Sequence, residues 1–248
     1  MKPVPMEIVS RTHKGRVRSI NEDSIAVLPD FGLAILADGM GGYAAGEVAS
    51  LLAVQTIAKE LIPVVMNPDI DSGYLELEQA VNHANNSIFS AVEQKVGSEG
   101  MATTIVVVIF CDDRALFAHL GDSRLYRLSS KGLEQLTSDH SIIQELVDQG
   151  MFFSIREAME AGVPNNVLTR GLGVEQHIRL DIGEAILREE DIYLLCSDGL
   201  TNMVSDAQIT ELIRSNSHCL EQAGDQLIRT ALENGGIDNI SLVLARAR

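Results

Sequence analysis

The chain has 248 residues, of which 46% are apolar and 22% charged, the balance of an ordinary globular protein. A chain this long buries about 70–75% of its unfolded surface, so one large domain with a sizeable core is expected. The formal net charge of −16 argues against a nucleic-acid partner, because phosphate contacts need clustered Lys and Arg. No apolar run is read as approaching the ~18 residues of a membrane span, residues 104–111 being among the longest, and residues 1–11 hold no signal-peptide core. A cytoplasmic monomer with no membrane partner is therefore expected. Cys111, Cys196 and Cys219 follow no zinc or disulfide spacing and are read as reduced thiols.

In chain order, strands are predicted at residues 7–11, 24–28 and 32–37, then helices at 45–65 and 75–96. Strands follow at 103–111, which is rich in β-branched residues, and at 115–120 and 124–128. Ser141 to Gln144 and Ser154 to Glu157 match the capping box and open two short helices; Ser205 to Gln208 opens another. Strands resume at 177–182 and 192–196, residues 219–233 form a helix, and 239–247 a closing strand. Strands at hairpin-like spacing, grouped apart from helix pairs, predict an α+β layout of mainly antiparallel sheets with helices packed outside.

Five acidic sites interrupt this pattern in one way. Asp38 ends the apolar run 31–37 and enters the glycine turn Gly39-Met40-Gly41-Gly42. Asp198-Gly199 follows Leu194 to Ser197, Asp122 follows Gly121 between two strands, Asp238 precedes the last strand, and Asn21-Glu22-Asp23 precedes the second. A single Asp-Gly after a strand is usually a turn. Five carboxylates at strand junctions point instead to one shared set of oxygen ligands, as hard divalent cations require. Asn67 to Ser72 followed by Glu78 imitates a calcium loop, but Ser72 stands where the sharp turn needs Gly; the segment is read as a connector.

Eight motifs in order carry a resemblance over nearly the whole chain. They are Arg18-Ser19-Ile20-Asn21-Glu22-Asp23, Asp38-Gly39-Met40-Gly41-Gly42, Met101-Ala102-Thr103-Thr104, Gly121-Asp122-Ser123-Arg124, Asp139-His140-Ser141, Leu168-Thr169-Arg170-Gly171-Leu172-Gly173, Ser197-Asp198-Gly199-Leu200 and Gly236-Ile237-Asp238-Asn239. The chain resembles the bacterial metal-dependent Ser/Thr protein phosphatases of the type 2C (PPM) family. The resemblance implies a single catalytic domain over 1–248, two central antiparallel sheets flanked by helices in a four-layer α/β/β/α sandwich, and a flap at about 141–166. It implies hydrolysis of phosphoserine and phosphothreonine in proteins, dependent on two Mn²⁺ or Mg²⁺ ions and a looser third.

By the same resemblance, Asp38 bridges two metals with the Gly39 carbonyl as a further ligand. Asp198 and Asp238 complete one metal, Glu22 lies near the other, and Asp122 with Asp198 holds the third. Arg18 binds the substrate phosphate, where a planar bidentate donor suits the oxyanion. A metal-activated hydroxide attacks phosphorus in line, so no protein nucleophile is needed. Cys196 and Ser197 are read as core thiol and turn hydroxyl, since no Cys-x5-Arg loop surrounds them. Met40 stands where eukaryotic members place a His thought to protonate the leaving group, and His140 is read as structural. Met151, Phe152 and Phe153 give the flap an apolar surface for substrate or for packing. The expected partners are phosphorylated proteins and a cognate Ser/Thr kinase whose action the enzyme opposes in signalling. The alternative is a catalytically weak phosphoprotein-binding adaptor of the same fold.

Overall fold

The structure is a computed structural model and describes residues 2–41, 45–67, 73–94 and 100–247. Gly42, most of the connector that imitates a calcium loop, and the predicted end of the second helix at Val96 lie outside these residues.

Two antiparallel sheets form the centre. The first orders β1 (Met6–His13), β11 (Ile240–Ala247), β10 (Ile192–Cys196), β7 (Arg124–Ser129) and β8 (Gly132–Gln135). The second orders β2 (Asp23–Leu28), β3 (Leu33–Met40), β5 (Ile105–Cys111), β6 (Arg114–Leu120) and β9 (Asp181–Ile186), with the short β4 (Ala102–Thr103) paired to the end of β3. Strand alternation sorts three cores. Ala34, Leu36, Val106 and Val108 face Leu125, Tyr193, Leu195 and Val243 between the sheets. Leu33, Ile35, Val107 and Ile109 point outward onto α1 (Ala45–Val65) and α2 (Tyr74–Gln94). Leu194, Cys196, Leu242 and Leu244 point the other way, onto α6 (Asp206–Ser215) and α7 (Leu220–Glu233). With both faces of each sheet covered, central strands such as β5 read as unbroken apolar runs although their neighbours are antiparallel. The four-layer sandwich expected from the sequence is what forms.

Helix α1 is long and apolar enough to span a membrane by length and composition, with a mean hydropathy of 1.6, a stretch the sequence expectation passed over. Ala49, Ala53, Ile57, Leu61 and Val65 recur every four residues and are all buried against the second sheet, while Glu47, Lys59 and Glu60 interrupt the rest. This periodicity is that of a core helix.

Several boundaries move for physical reasons. β3 runs two residues past Asp38, because Gly39 and Met40 pair with Thr103 and Ala102; Asp38 lies inside a strand rather than at its end. Thr104, whose N–H donates to the Asp38 carbonyl, separates β4 from β5, breaking the single strand predicted there. The strand predicted at 177–182 forms at Asp181–Ile186 instead, where its partners on β6 lie. Of the three capping boxes, only that at Ser205 and Gln208 is reciprocal. Ser141 and Ser154 cap α3 (Ile142–Asp148) and α4 (Ile155–Glu160) alone, because Gln144 turns to Asp148 and Glu157 accepts from the Phe153 N–H.

Segment 141–168 lies between β8 of the first sheet and β9 of the second, and its two ends meet. Ser141 bridges Leu168, Thr169 N–H donates to the His140 carbonyl, and Ile142 N–H donates to the Val167 carbonyl. At the neighbouring β6–β7 corner, Gly121 holds φ +105°, and a Cβ there would lie 2.6 Å from Thr104 Cγ2. Gly121→Ala is expected to destabilise the fold by about 2 kcal/mol or more, from backbone strain plus displacement of Thr104. Urea unfolding checks this; an unchanged midpoint would refute the assignment of strain to this corner.

Candidate active site

All seven residues singled out in the sequence line one cleft of about 430 Å³ at one end of the sandwich: Arg18, Glu22, Asp38, Gly39, Asp122, Asp198 and Asp238. They arrive from separate parts of the fold. Glu22 directly precedes β2; Asp38 and Gly39 lie within β3; Asp122 occupies the β6–β7 bend. Asp198 is the first residue of the one-turn helix α5 (Asp198–Thr201), a helix where a turn was expected, and Asp238 stands two residues before the start of β11.

Main-chain and hydroxyl contacts fix these side chains. Asp38 N–H donates to Thr104 Oγ1 (3.0 Å), and its carbonyl accepts from Thr103 Oγ1 (2.9 Å) and Thr104 N–H (2.9 Å). Thr104 Oγ1 in turn shares a hydrogen bond with Ser123 Oγ (2.7 Å), linking β3 to the loop that bears Asp122. Asn202 Nδ2 donates to Asp198 Oδ2 (3.0 Å), and Arg18 Nη2 donates to Asp238 Oδ2 (2.8 Å). Gly46 on α1 approaches so closely that an added Cβ would lie 2.6 Å from Glu22 Oε1, and its N–H donates to that carboxylate.

Two residues carry more of the site than the sequence expectation gave them. Asp23 pairs with Asp38 across β2 and β3. Ser197 Oγ donates to its Oδ2 (3.0 Å), while its Oδ1 is buried with no donor. Asn239 accepts from the Glu22 N–H (2.8 Å) and donates to the carbonyls of Lys14 and Ile20 (2.9 Å each), tying the loop before β2 to the loop before β11. Both stand inside motifs visible in the sequence; what hid their roles is the strand register and the loop contact, which no local pattern encodes.

The electrostatics are those of a cation site. Burial, then the charges of Asp23, Asp198, Asp122 and Asp238, push the Asp38 carboxyl well above the usual range. Burial, then Asp198, raises Asp122 to about 7. Burial raises Asp23 to about 6, with Asp198 adding to it against the hydrogen bonds of Ser241 and Ser197. Asp198 is raised by burial and by Asp238, and its carboxyl, like that of Asp23, abuts Asp38. Like charges gathered out of water are costly unless a cation joins them. The donors are carboxylates and backbone carbonyls with no thiolate or imidazole among the cleft-lining residues, which fits hard divalent ions.

A second cluster does not. His119, His140 and Asp181 come together below the β6–β7 corner. The imidazoles stack with centroids 4.6 Å apart at 17°, so their in-plane lone pairs run parallel rather than converging on one ion. Arg170 Nη1 already stands 3.1 Å from both His140 Nε2 and Asp181 Oδ1. His140 Nδ1 accepts the Gly121 N–H, so this residue supports the corner, as the sequence led us to expect. Cys196 is fully buried and burial pushes its thiol up to about 12, which leaves no nucleophile there.

Comparison with known proteins agrees with this geometry. The family model described as protein phosphatase 2C matches residues 12–234. A serine/threonine phosphatase, stp, of Listeria innocua is 37% identical over 240 residues, spanning 94% of this chain and 93% of the relative. The crystal structure of the Mycobacterium tuberculosis serine/threonine phosphatase PstP/Ppp superposes with a TM-score of 0.88 at 34% identity, covering 98% of this chain and 99% of that one. The catalytic domain of PstP in complex with two manganese ions superposes at 0.81 with 37% identity, covering 97% of each chain. A match over nearly the whole length, with every acidic motif gathered in one cleft, establishes that the chain belongs to the protein phosphatase 2C family.

Proposed function

We propose that this chain uses the Asp38 cluster to hydrolyse phosphoserine and phosphothreonine in proteins and so opposes a Ser/Thr kinase. As a metal-dependent protein phosphatase it acts on phosphorylated proteins; the residue roles, the cognate kinase, a monomeric state and a cytoplasmic location are our reading. The observation that carries it is the convergence of Glu22, Asp38, Asp122, Asp198 and Asp238 in one partly buried cluster beside Arg18. Asp38, Asp198 and Asp238 with the Gly39 carbonyl and Glu22 would hold two Mn²⁺ or Mg²⁺ ions, and Asp122 with Asp198 a third. When bound, the ions supply Lewis-acid chemistry, lowering the pKa of water toward neutrality and offsetting charge on the phosphoryl oxygens.

The chain's own residues bind and orient. Arg18 is half exposed at the cleft mouth, and its guanidinium presents a planar fork to phosphate oxygens while Asp238 fixes one arm. Asp23 braces Asp38 from the neighbouring strand, held by Ser197. Segment 141–166 forms the flap of this single catalytic domain. Asn165, Asn166, Ile155 and Met159 wall a groove of about 610 Å³ that shares Asp122, Asp198 and Asp238 with the cleft and offers room for the protein substrate. Phe153, 99% exposed at the flap, extends that surface. The three free cysteines, two of them buried, support a reducing compartment. An adaptor without chemistry is not favoured, because no ligand carboxylate is missing.

Chelation by EDTA is expected to abolish phosphopeptide hydrolysis and Mn²⁺ or Mg²⁺ to restore it. Asp38→Ala should lose about a thousandfold or more in kcat, since each ~1.4 kcal/mol of transition-state stabilisation is tenfold. Full turnover in chelator or in Asp38→Ala would end the reading. Arg18→Ala should raise KM and weaken inhibition by phosphate while metal affinity, measured by titration calorimetry, stays near that of the parent. Arg18→Lys should restore little, because a point charge does not reproduce the fork; unchanged kinetics would return Arg18 to a solvated ion pair. A serine alkoxide needs protonation to leave and p-nitrophenolate does not. Asp122→Ala should therefore lose far more kcat/KM on a phosphopeptide than on p-nitrophenyl phosphate at saturating Mn²⁺. Equal losses would remove Asp122 from leaving-group protonation.

A further inference from the structure

The loop between β1 and β2 is the electrostatic exception in this acidic chain. Residues 8–21 hold Arg11, Lys14, Arg16 and Arg18 and no Asp or Glu, in a protein with 35 acids and a net charge of −16. Two of these cations are accounted for: Arg11 pairs with Asp225 on α7, and Arg18 with Asp238. Lys14 and Arg16 are exposed, and their side chains have no ion-pair or hydrogen-bond partner among the described residues.

The loop that presents them is built rather than loose. Arg16 N–H donates to the Gly236 carbonyl (2.7 Å), and the Arg16 stem crosses Gly236, where an added Cβ would lie 3.4 Å from its Cγ. Asn239 Nδ2 holds the Lys14 carbonyl (2.9 Å). Gly15 seats against the Asp238 carbonyl so closely that no side chain would fit. Two unpaired cations are thus fixed on the loop that carries Arg18, against the loop that carries Asp238, both of which line the cleft. The flap, which reaches the cleft at Asn166, is of the other sign: it bears Glu145, Asp148, Glu157 and Glu160 against Arg156, which is itself paired with Glu160.

We propose that Lys14 and Arg16 form a specificity site that selects phosphoprotein substrates carrying acidic residues beside the phosphorylated Ser or Thr. The site rests on the phosphatase reading above. With its phosphate at Arg18, a substrate segment leaves the cleft either over this basic loop or toward the acidic flap. Flanking carboxylates are attracted by the first and repelled by the second, which also sets the direction in which the chain lies. Because the molecule as a whole repels an acidic peptide, a preference for one needs a local source of positive charge.

The test uses the full chain with Mn²⁺ and three phosphothreonine peptides of equal length whose flanks are Glu, Gln or Lys. The expected result is kcat/KM about fivefold higher for Glu than for Gln flanks, expressed in KM and shrinking at high salt, the size of two exposed charge contacts. Lys14→Glu with Arg16→Glu should invert the order, and the milder Lys14→Gln with Arg16→Gln should level it. The readout is the ratio between peptides within each variant, so a variant of lower overall activity still reports. Hydrolysis of all three peptides at equal rates by the parent protein, or a Glu preference that survives in both double variants, overturns the site while leaving the phosphatase intact. Absence of metal-dependent hydrolysis of any peptide overturns both.

Discussion

The constraint on which the structure turns is the burial of like charges. Asp23, Asp38, Asp122, Asp198 and Asp238 meet at one end of the sandwich, each of them partly buried, with Asp38 at their centre lining the cleft. Left to themselves these carboxylates would part or take up protons. They stay together because each is carried on backbone that the fold fixes independently: the β3–β4 pairing for Asp38, the first turn of α5 for Asp198, the β6–β7 corner for Asp122. The folding energy of three apolar cores is what holds a cluster that electrostatics alone would disperse.

The sandwich suits this task because its two sheets bring strand ends of both to the same edge. β2 and β3 of one sheet deliver Asp23 and Asp38; β10 and β11 of the other lead into Asp198 and out of Asp238. Hydroxyls and one amide bind the two halves together. Ser197, from the β10 end, reaches Asp23, while Asn239, before β11, gathers the backbone at Lys14, Ile20 and Glu22. These neutral side chains set carboxylate orientation without adding charge, which leaves the net negative potential available for cations.

Much of this was legible from residues alone. The boundaries of α1 and β10 coincide with those predicted, because α1 is a long helical run and β10 an unbroken apolar run with clear ends. Every acidic motif picked out by its place beside an apolar run reaches the cleft. β9 and α5 were misread, since neither has a periodicity of its own: β9 is defined by its partners on β6, and α5 is one turn long. The membrane-length hydropathy of α1 likewise gains its meaning only from the sheet beneath it.

What the sequence by itself determined is the inventory: which carboxylates, at which apolar junctions, in which order, and one basic loop in an acidic chain. Local chemistry suffices for that, because strand propensity, glycine turns and charge are properties of neighbouring residues. Only the tertiary structure decided that Asp23 faces Asp38, that Asn239 clasps the Glu22 loop, that the two histidines stack away from the cleft, and that Arg16 is pinned to the loop bearing Asp238. Those relations join residues as far as 217 positions apart or more, and they follow from register and packing between elements, which no window along the chain contains.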